Sequence, residues 1–210
     1  FQQTFRIWRG SRVLSLEIEL DPKTECKSDP WGSYFAARFA WATEATELFR
    51  SVNGSRYVTT AKRIEAPQYI ELDDGAARTT ILTGGLPFHR RQGARMLDTL
   101  LIVHGERQRK FQLGIGIDLK HPMQEALGML TPTTMICQTA SPPTPAESGW
   151  LFHIDTRNVI ATHWEPLVEA GEVVGVSVRL QETGGRPAKT GLRCFRPVDS
   201  ARQTDFRGEP

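Results

Sequence analysis

Hydrophobic residues in this chain recur at every second position, and that period constrains the fold more than any other feature. In "VLSLEIEL" (13–20), Leu14, Leu16, Ile18 and Leu20 fall on one side, with Ser15, Glu17 and Glu19 on the other. "FQLGIGIDL" (111–119) sets Phe111, Leu113, Ile115, Ile117 and Leu119 against Gln112, Gly114, Gly116 and Asp118. "VVGVSVRL" (173–180) sets Val174, Val176, Val178 and Leu180 against Gly175, Ser177 and Arg179. Successive side chains of a strand point to opposite faces, so this alternation suits antiparallel strands with one face buried and one in water.

Turn chemistry separates these runs. "DDG" (73–75), "HGE" (104–106), "EAGE" (169–172) and "TGG" (183–185) all read as hairpin connections. They predict long hairpins in "LLIV-HGERQR-KFQLGIGI", "WLFHI-DTRN-VIATHW" and "VSVRLQE-TGGRPAK-TGLRCF". Consecutive hairpins with few helices between them imply two stacked sheets. The expected fold is all-β, a large antiparallel β-sandwich with one or two short helices. "HPMQEALGML" (121–130) predicts a helix, with Pro122 in the first turn and Met123, Leu127 and Leu130 at helical spacing. "WATEATELFRSV" (41–52) fits either a short helix or an edge strand with its loop. The Pro-, Ser- and Thr-rich segment 131–149 reads as a long surface loop. The glycines of "GIGIDL" lie inside an alternating strand, where they relieve crowding on the sheet face and do not cradle a phosphate.

A chain of 210 residues can bury a sizeable core, and the expectation is one domain spanning 1–210. Twenty-six basic against 24 acidic side chains leave a net charge of +2, without the clustered surplus that general nucleic-acid binding needs. No apolar run approaches the roughly 18 residues of a membrane span. The start, "FQQTFRIWRGSR", has no apolar leader segment, and both ends suit a piece of a longer chain. Cys26, Cys137 and Cys194 are odd in number and scattered, with no CxxC pair, so they read as reduced thiols and not zinc ligands. Reduced thiols without a visible leader favour the cytoplasm.

Few residues offer chemistry. The stretch "GLPFHRRQGARMLDTLL" (85–101) crowds His89, Arg90, Arg91 and Arg95 ahead of an apolar run. It reads as a loop entering a strand, with His89, Arg90 and Arg91 placed to meet a sugar or a partner domain. Asp98 interrupts the apolar run and needs a partner if buried, supplied by Arg95 or another nearby arginine; a structural ion pair is the plainer reading. Asp73 and Asp74 belong to a turn that favours aspartate for backbone reasons. His153 with Asp155, and His163 with Glu165, are i, i+2 pairs that share a strand face. A hairpin around 155–158 would let the four converge as metal ligands, although cross-strand hydrogen bonding on a polar face is the plainer reading. Trp164, between the second pair, is expected to point the other way, into the core.

The order of segments adds a resemblance. "WRGSRVLSLEIELDP", "DPWGSYFAARFAW", "LPFHRRQGARMLDTLLIVHGE" and the closing "VRLQETGGRPAKTGLRCFRPVDSARQTDF" together resemble the C-terminal β-sandwich region of glycoside hydrolase family 38, the α-mannosidase-like enzymes. The resemblance implies a supersandwich similar to that of galactose mutarotase, and a parent retaining hydrolase that uses a divalent metal, usually zinc. The nucleophile and metal ligands of such enzymes lie in an N-terminal catalytic barrel that no segment here resembles, so none is carried over. The paired arginines and paired aspartates that the family carries in one sandwich strand are absent from "RMLDTLLIVHGE", and no sugar contact is carried over to that strand. The implied role is a non-catalytic domain, inactive alone, that packs on its own N-terminal catalytic domain and helps wall a mannoside site.

Two other functions fit the residues. A stand-alone carbohydrate-binding module would present Trp31, Tyr34, Trp41, Trp150 and Trp164 on one exposed face for stacking on sugar rings. A mutarotase-like sugar enzyme would pair His89 or His163 with Glu165 as acid and base.

Overall fold

The structure is a computed structural model that describes residues 1–131, 149–205 and 207–209. The loop expected over 131–149 lies, apart from its two ends, outside the described residues, as does Cys137. The strands of the first half are β1 (Gln2–Ile7), β2 (Val13–Glu19), β3 (Phe35–Ala40), β4 (Glu47–Val52), β5 (Ser55–Val58), β6 (Arg63–Glu65), β7 (Tyr69–Asp73) and β8 (Arg78–Leu82). Then follow β9 (Phe88–Gln92), β10 (Met96–Ile102), β11 (Lys110–Ile117), α1 (Pro122–Leu130), β12 (Phe152–Ile154), β13 (Val159–Glu169), β14 (Glu172–Glu182) and β15 (Leu192–Cys194). Strands make up 47% of the described residues and helix 5%, and the fold is an all-β antiparallel sandwich.

A seven-stranded sheet, in the order β1-β2-β11-β8-β7-β4-β5, packs on a four-stranded sheet, β3-β10-β9-β6. Leu16, Ile18, Phe111 and Leu113 of the larger sheet meet Ala37, Leu101 and Ile102 of the smaller. Next to them, Leu48, Ile70, Leu72 and Ile81 meet Ile64 and Leu97. The outer face of the larger sheet carries a third layer, in which Met123 and Ala126 of α1 cover Tyr69 and Leu82. The expected helix is thus present, with Pro122 in its first turn. Gly114 and Gly116 lie under this cover, where an added Cβ would come within 2.9 Å of Leu82 and 2.4 Å of Leu119. Their smallness relieves crowding, as read from the sequence.

The three long hairpins are not formed. β10 pairs with β3 and β9, whereas β11 pairs with β2 and β8, so the "HGE" turn carries the chain from one sheet to the other. β12 pairs with β15 and β13 with β14, which removes the other two. Alternation tells which side of a strand is apolar. It does not tell from which side of a sandwich that strand faces the shared interior, and β10 and β11 face it from opposite sides. The "DDG" and "EAGE" turns do close hairpins, β7–β8 and β13–β14.

The segment left open between helix and edge strand forms a loop and then β4, an interior strand between β5 and β7. Asn53 and Gly54, at φ 51° and 73°, connect β4 to β5. Asn-Gly is the strongest short hairpin signal in a sequence, and it went unread here.

β13 and β14 form a ribbon outside the sandwich. Trp164 faces Val178 and Pro166 faces Val176 on one side, and the register shifts beyond Leu167. His163–Arg179 and Glu165–Ser177 occupy the other. The alternation expected of "VVGVSVRL" is present, yet the apolar side is open: Val174 is 57% and Val176 37% exposed. Trp164 is correspondingly not in the core but partly exposed, stacked on Phe152 with ring centroids 4.4 Å apart.

The turn after β8 has no room for a side chain. Gly84 has φ +60°, and a Cβ there would lie 2.0 Å from the Gln112 carbonyl oxygen. Gly84→Ala is therefore expected to cost about 2 kcal/mol, from the left-handed backbone and the displaced β11 carbonyl together. Urea unfolding measures it; a midpoint equal to that of the wild type would show the turn to be free.

Candidate functional site

The cationic stretch is a strand, not a loop. β9 lies between β6 and β10, with Ile64, His89 and Thr99 in register across the three. That register turns His89 into the sandwich, where it is fully buried. Its Nε2 lies 3.1 Å from the Ala66 carbonyl and its Nδ1 3.0 Å from the Thr99 hydroxyl. A carbonyl can only accept, so Nε2 carries the proton and Nδ1 accepts from Thr99. Burial pushes this imidazole down to about 4, so it is neutral and faces no solvent. A general acid–base role for His89 has no route to a substrate.

The neighbouring residue of each strand points outward. Arg38, Asp98 and Arg90 stand in register across β3, β10 and β9. The Arg38 guanidinium donates to both Asp98 oxygens, Nε to Oδ1 at 2.6 Å and Nη2 to Oδ2 at 2.8 Å. Tyr34 donates to Oδ2 at 2.8 Å and accepts from Gln92 at 2.8 Å. Burial opposes ionisation of Asp98, but Arg38 and Tyr34 more than offset it and hold the carboxyl below its ordinary value. The carboxylate is thus a structural ion pair, as the plainer reading had it, although its partner is not Arg95. Arg95 donates to the Ala42 carbonyl at 2.9 Å and Arg91 to that of Ala94 at 3.2 Å. Arg90 donates to the Trp31 carbonyl. The five residues are therefore not one site: His89 is interior, Asp98 and Arg90 lie under the Trp31–Tyr34 segment, and Arg91 and Arg95 serve the β9–β10 turn.

The two histidine–carboxylate pairs also stay apart, on different sheets. His153 lies 3.4 Å from Asp155, whose Oδ1 is already held by Arg193 at 2.6 Å. His163 lies 3.6 Å from Glu165 on the polar side of the ribbon. Both pairs share a strand face as expected, but the hairpin that would merge them does not form. Among the described residues, no three His, Cys, Asp or Glu side chains gather as metal ligands do. The aromatic residues do not share a face either. Trp31 and Tyr34 cover the smaller sheet, Trp41 packs on the core, Trp150 is exposed, and Trp164 belongs to the ribbon.

A polar cavity of about 360 Å³ opens elsewhere, on the outer face of the seven-stranded sheet. Its floor is Arg56 of β5, Tyr69 and Glu71 of β7, and Arg78 of β8. The start of α1, with Lys120 and His121, forms one wall, and Asn158, Thr183 and Arg186 form another. Arg56 lies over the Phe49 ring and donates to Glu71 Oε1 from Nε at 2.9 Å and from Nη2 at 2.5 Å. Glu71 is fully buried, and its Oε2 has no hydrogen-bond partner among the described residues. Burial, reinforced by the Glu71 charge, pushes the Tyr69 phenol up to about 12, so it stays a neutral donor.

The far wall is braced by Glu182, which accepts from Asn158 Nδ2 and the Gly184 amide at 2.7 Å each, and from the Arg186 amide at 3.0 Å. Burial works against the Glu182 charge, but these bonds outweigh it and hold the carboxyl below its ordinary value. The "TGG" turn therefore shapes a wall of the cavity and does not close a hairpin. Sequence reasoning missed this site because Glu71 alternates with Ile70 and Leu72 like any solvent-facing strand residue. The docking of α1 on one side and of the Asn158–Arg186 wall on the other buries that face.

No protein-family model matches this chain, and no curated protein matches it.

Proposed function

We propose that this chain is a non-catalytic β-sandwich domain of a glycoside hydrolase of the α-mannosidase kind, packed on a catalytic domain that carries the reacting groups and the zinc. The observation that carries the reading is the open apolar side of the β13–β14 ribbon, where Val174 and Val176 meet solvent. A two-stranded ribbon is marginal in water unless its apolar face is covered. Phe5 and Ile7 of the edge strand β1 are also exposed. The side chains first suited to acid–base work are engaged within the sandwich, His89 by Ala66 and Thr99, and Asp98 by Arg38 and Tyr34. No residue here is assigned to the metal, and no catalytic step is routed through this domain.

The 210-residue chain is expected to show no turnover of an aryl α-mannoside, with or without added zinc, while a full-length enzyme containing it is active. Turnover by the chain alone would overturn the reading.

A further inference from the structure

The cavity beside α1 has a chemistry of its own, independent of any catalytic domain. Three cationic side chains line it without an ion-pair partner among the described residues: Arg78, Lys120 and Arg186. Arg56, the fourth, is neutralised by Glu71. The local field is positive: after burial itself, the charges of Arg157, Arg186 and Lys120 are what lower the pKa of His121. A group that enters this field gains if it is an anion.

At the floor, an anion alone would be poorly served. Glu71 is fully buried and its Oε2 is an unused acceptor, which costs free energy until an O–H or N–H donor reaches it. The His121 Nδ1 is likewise buried without a partner among the described residues. A buried acceptor beneath a cationic rim selects a molecule with hydroxyl donors at one end and negative charge at the other. The volume of about 360 Å³ lies near the small end of ligand pockets, and the Tyr69 ring and Met123 supply apolar surface for the C–H groups of a ring.

We propose that this cavity binds a monosaccharide-sized polyhydroxylated anion, a sugar acid or sugar phosphate. Glu71 Oε2 accepts from ligand hydroxyls, and Lys120, Arg186 and Arg78 hold the anionic group. The complex is a binding complex, with no bond made or broken.

Amide-resolved NMR titration of the whole chain tests this with four probes: glucuronate, glucose 6-phosphate, glucose and inorganic phosphate. Saturable shifts are expected around Glu71, His121 and Gly184 with glucuronate or glucose 6-phosphate; whichever binds tighter identifies the source of the charge. Glucose and phosphate are each expected to bind at least about tenfold more weakly, since each satisfies only one end of the site. Lys120→Ala and Arg186→Ala alter exposed side chains and leave the fold unchanged, and each is expected to weaken the anionic sugar about fivefold, more at low salt. Glu71→Gln is expected to weaken it about tenfold; should that variant not fold, the two rim variants carry the test. No saturable shift by about 20 mM with either anionic sugar, a rim variant that binds like the wild type, or phosphate binding as tightly as glucose 6-phosphate would each overturn the proposal.

Discussion

Replacing Arg38 with methionine is expected to lower the stability of the fold at neutral pH, because it strands the Asp98 carboxylate. Asp98 is 0% exposed, whereas the Arg38 side chain is 56% exposed. Arg38 therefore gives up little hydration to make the pair, but solvent screens it and Tyr34 still donates to Asp98 without it, so the loss is smaller than for a fully buried pair. The pH dependence identifies the cause. The folded carboxyl titrates below its ordinary value, so its stabilisation is complete above the unfolded value of about 3.9 and is lost as pH falls through the lower folded one. The deficit of Arg38→Met should accordingly shrink in acid, where a stranded Asp98 takes up a proton. Urea unfolding of both proteins at pH 7 and at about pH 3 measures this. A deficit below about 0.5 kcal/mol at pH 7, or one unchanged in acid, would remove the ion pair from the account of stability.

The second large effect is a pH slope from one histidine. His89 titrates near 4 in the fold against an ordinary value of 6.5. Between those values the unfolded chain binds a proton that the folded chain refuses. Stability from this group is thus full above about pH 6.5 and falls by roughly 3 kcal/mol as pH drops to about 4. Burial is the cause, and the hydrogen-bond partners are a hydroxyl and a carbonyl, with no carboxylate to favour the cation. His121, also lowered by burial, adds a smaller contribution of the same sign. His89→Gln offers an amide N–H to Ala66 and an acceptor to Thr99 but does not titrate. Its stability should be flatter between pH 4 and 6.5 than that of the wild type, and parallel curves would show that His89 is not the origin of the slope.

These two residues mark how far the sequence was readable. Asp98 announced itself as a polar residue inside "RMLDTLL" that would need an arginine, and it has one. The arginine comes from β3, sixty positions away, because cross-strand neighbours and not chain neighbours share a face. His89 was hidden by its company: three arginines within six residues mask the alternation of β9, so the segment reads as a solvated loop. Pairing between β6 and β10 reveals which of its residues face inward. Glu71 carried no signal at all, since a strand with one buried face and a strand later covered on the other have the same period.

By itself, the amino-acid sequence determined the strand type, the apolar sides of β2, β11 and β14, helix α1, and the "DDG" and "EAGE" hairpins. These depend on side-chain alternation and local turn geometry, which act within a few residues. Tertiary structure alone decided which sheet β10, β11, β12 and β15 would join, which arginine would meet Asp98, and that α1 would roof a cationic cavity with Glu71 at its floor. The physical reason is that pairing and stacking are settled by competition among surfaces far apart in the chain. Any strand with the right apolar side can satisfy that competition from either side of the same core.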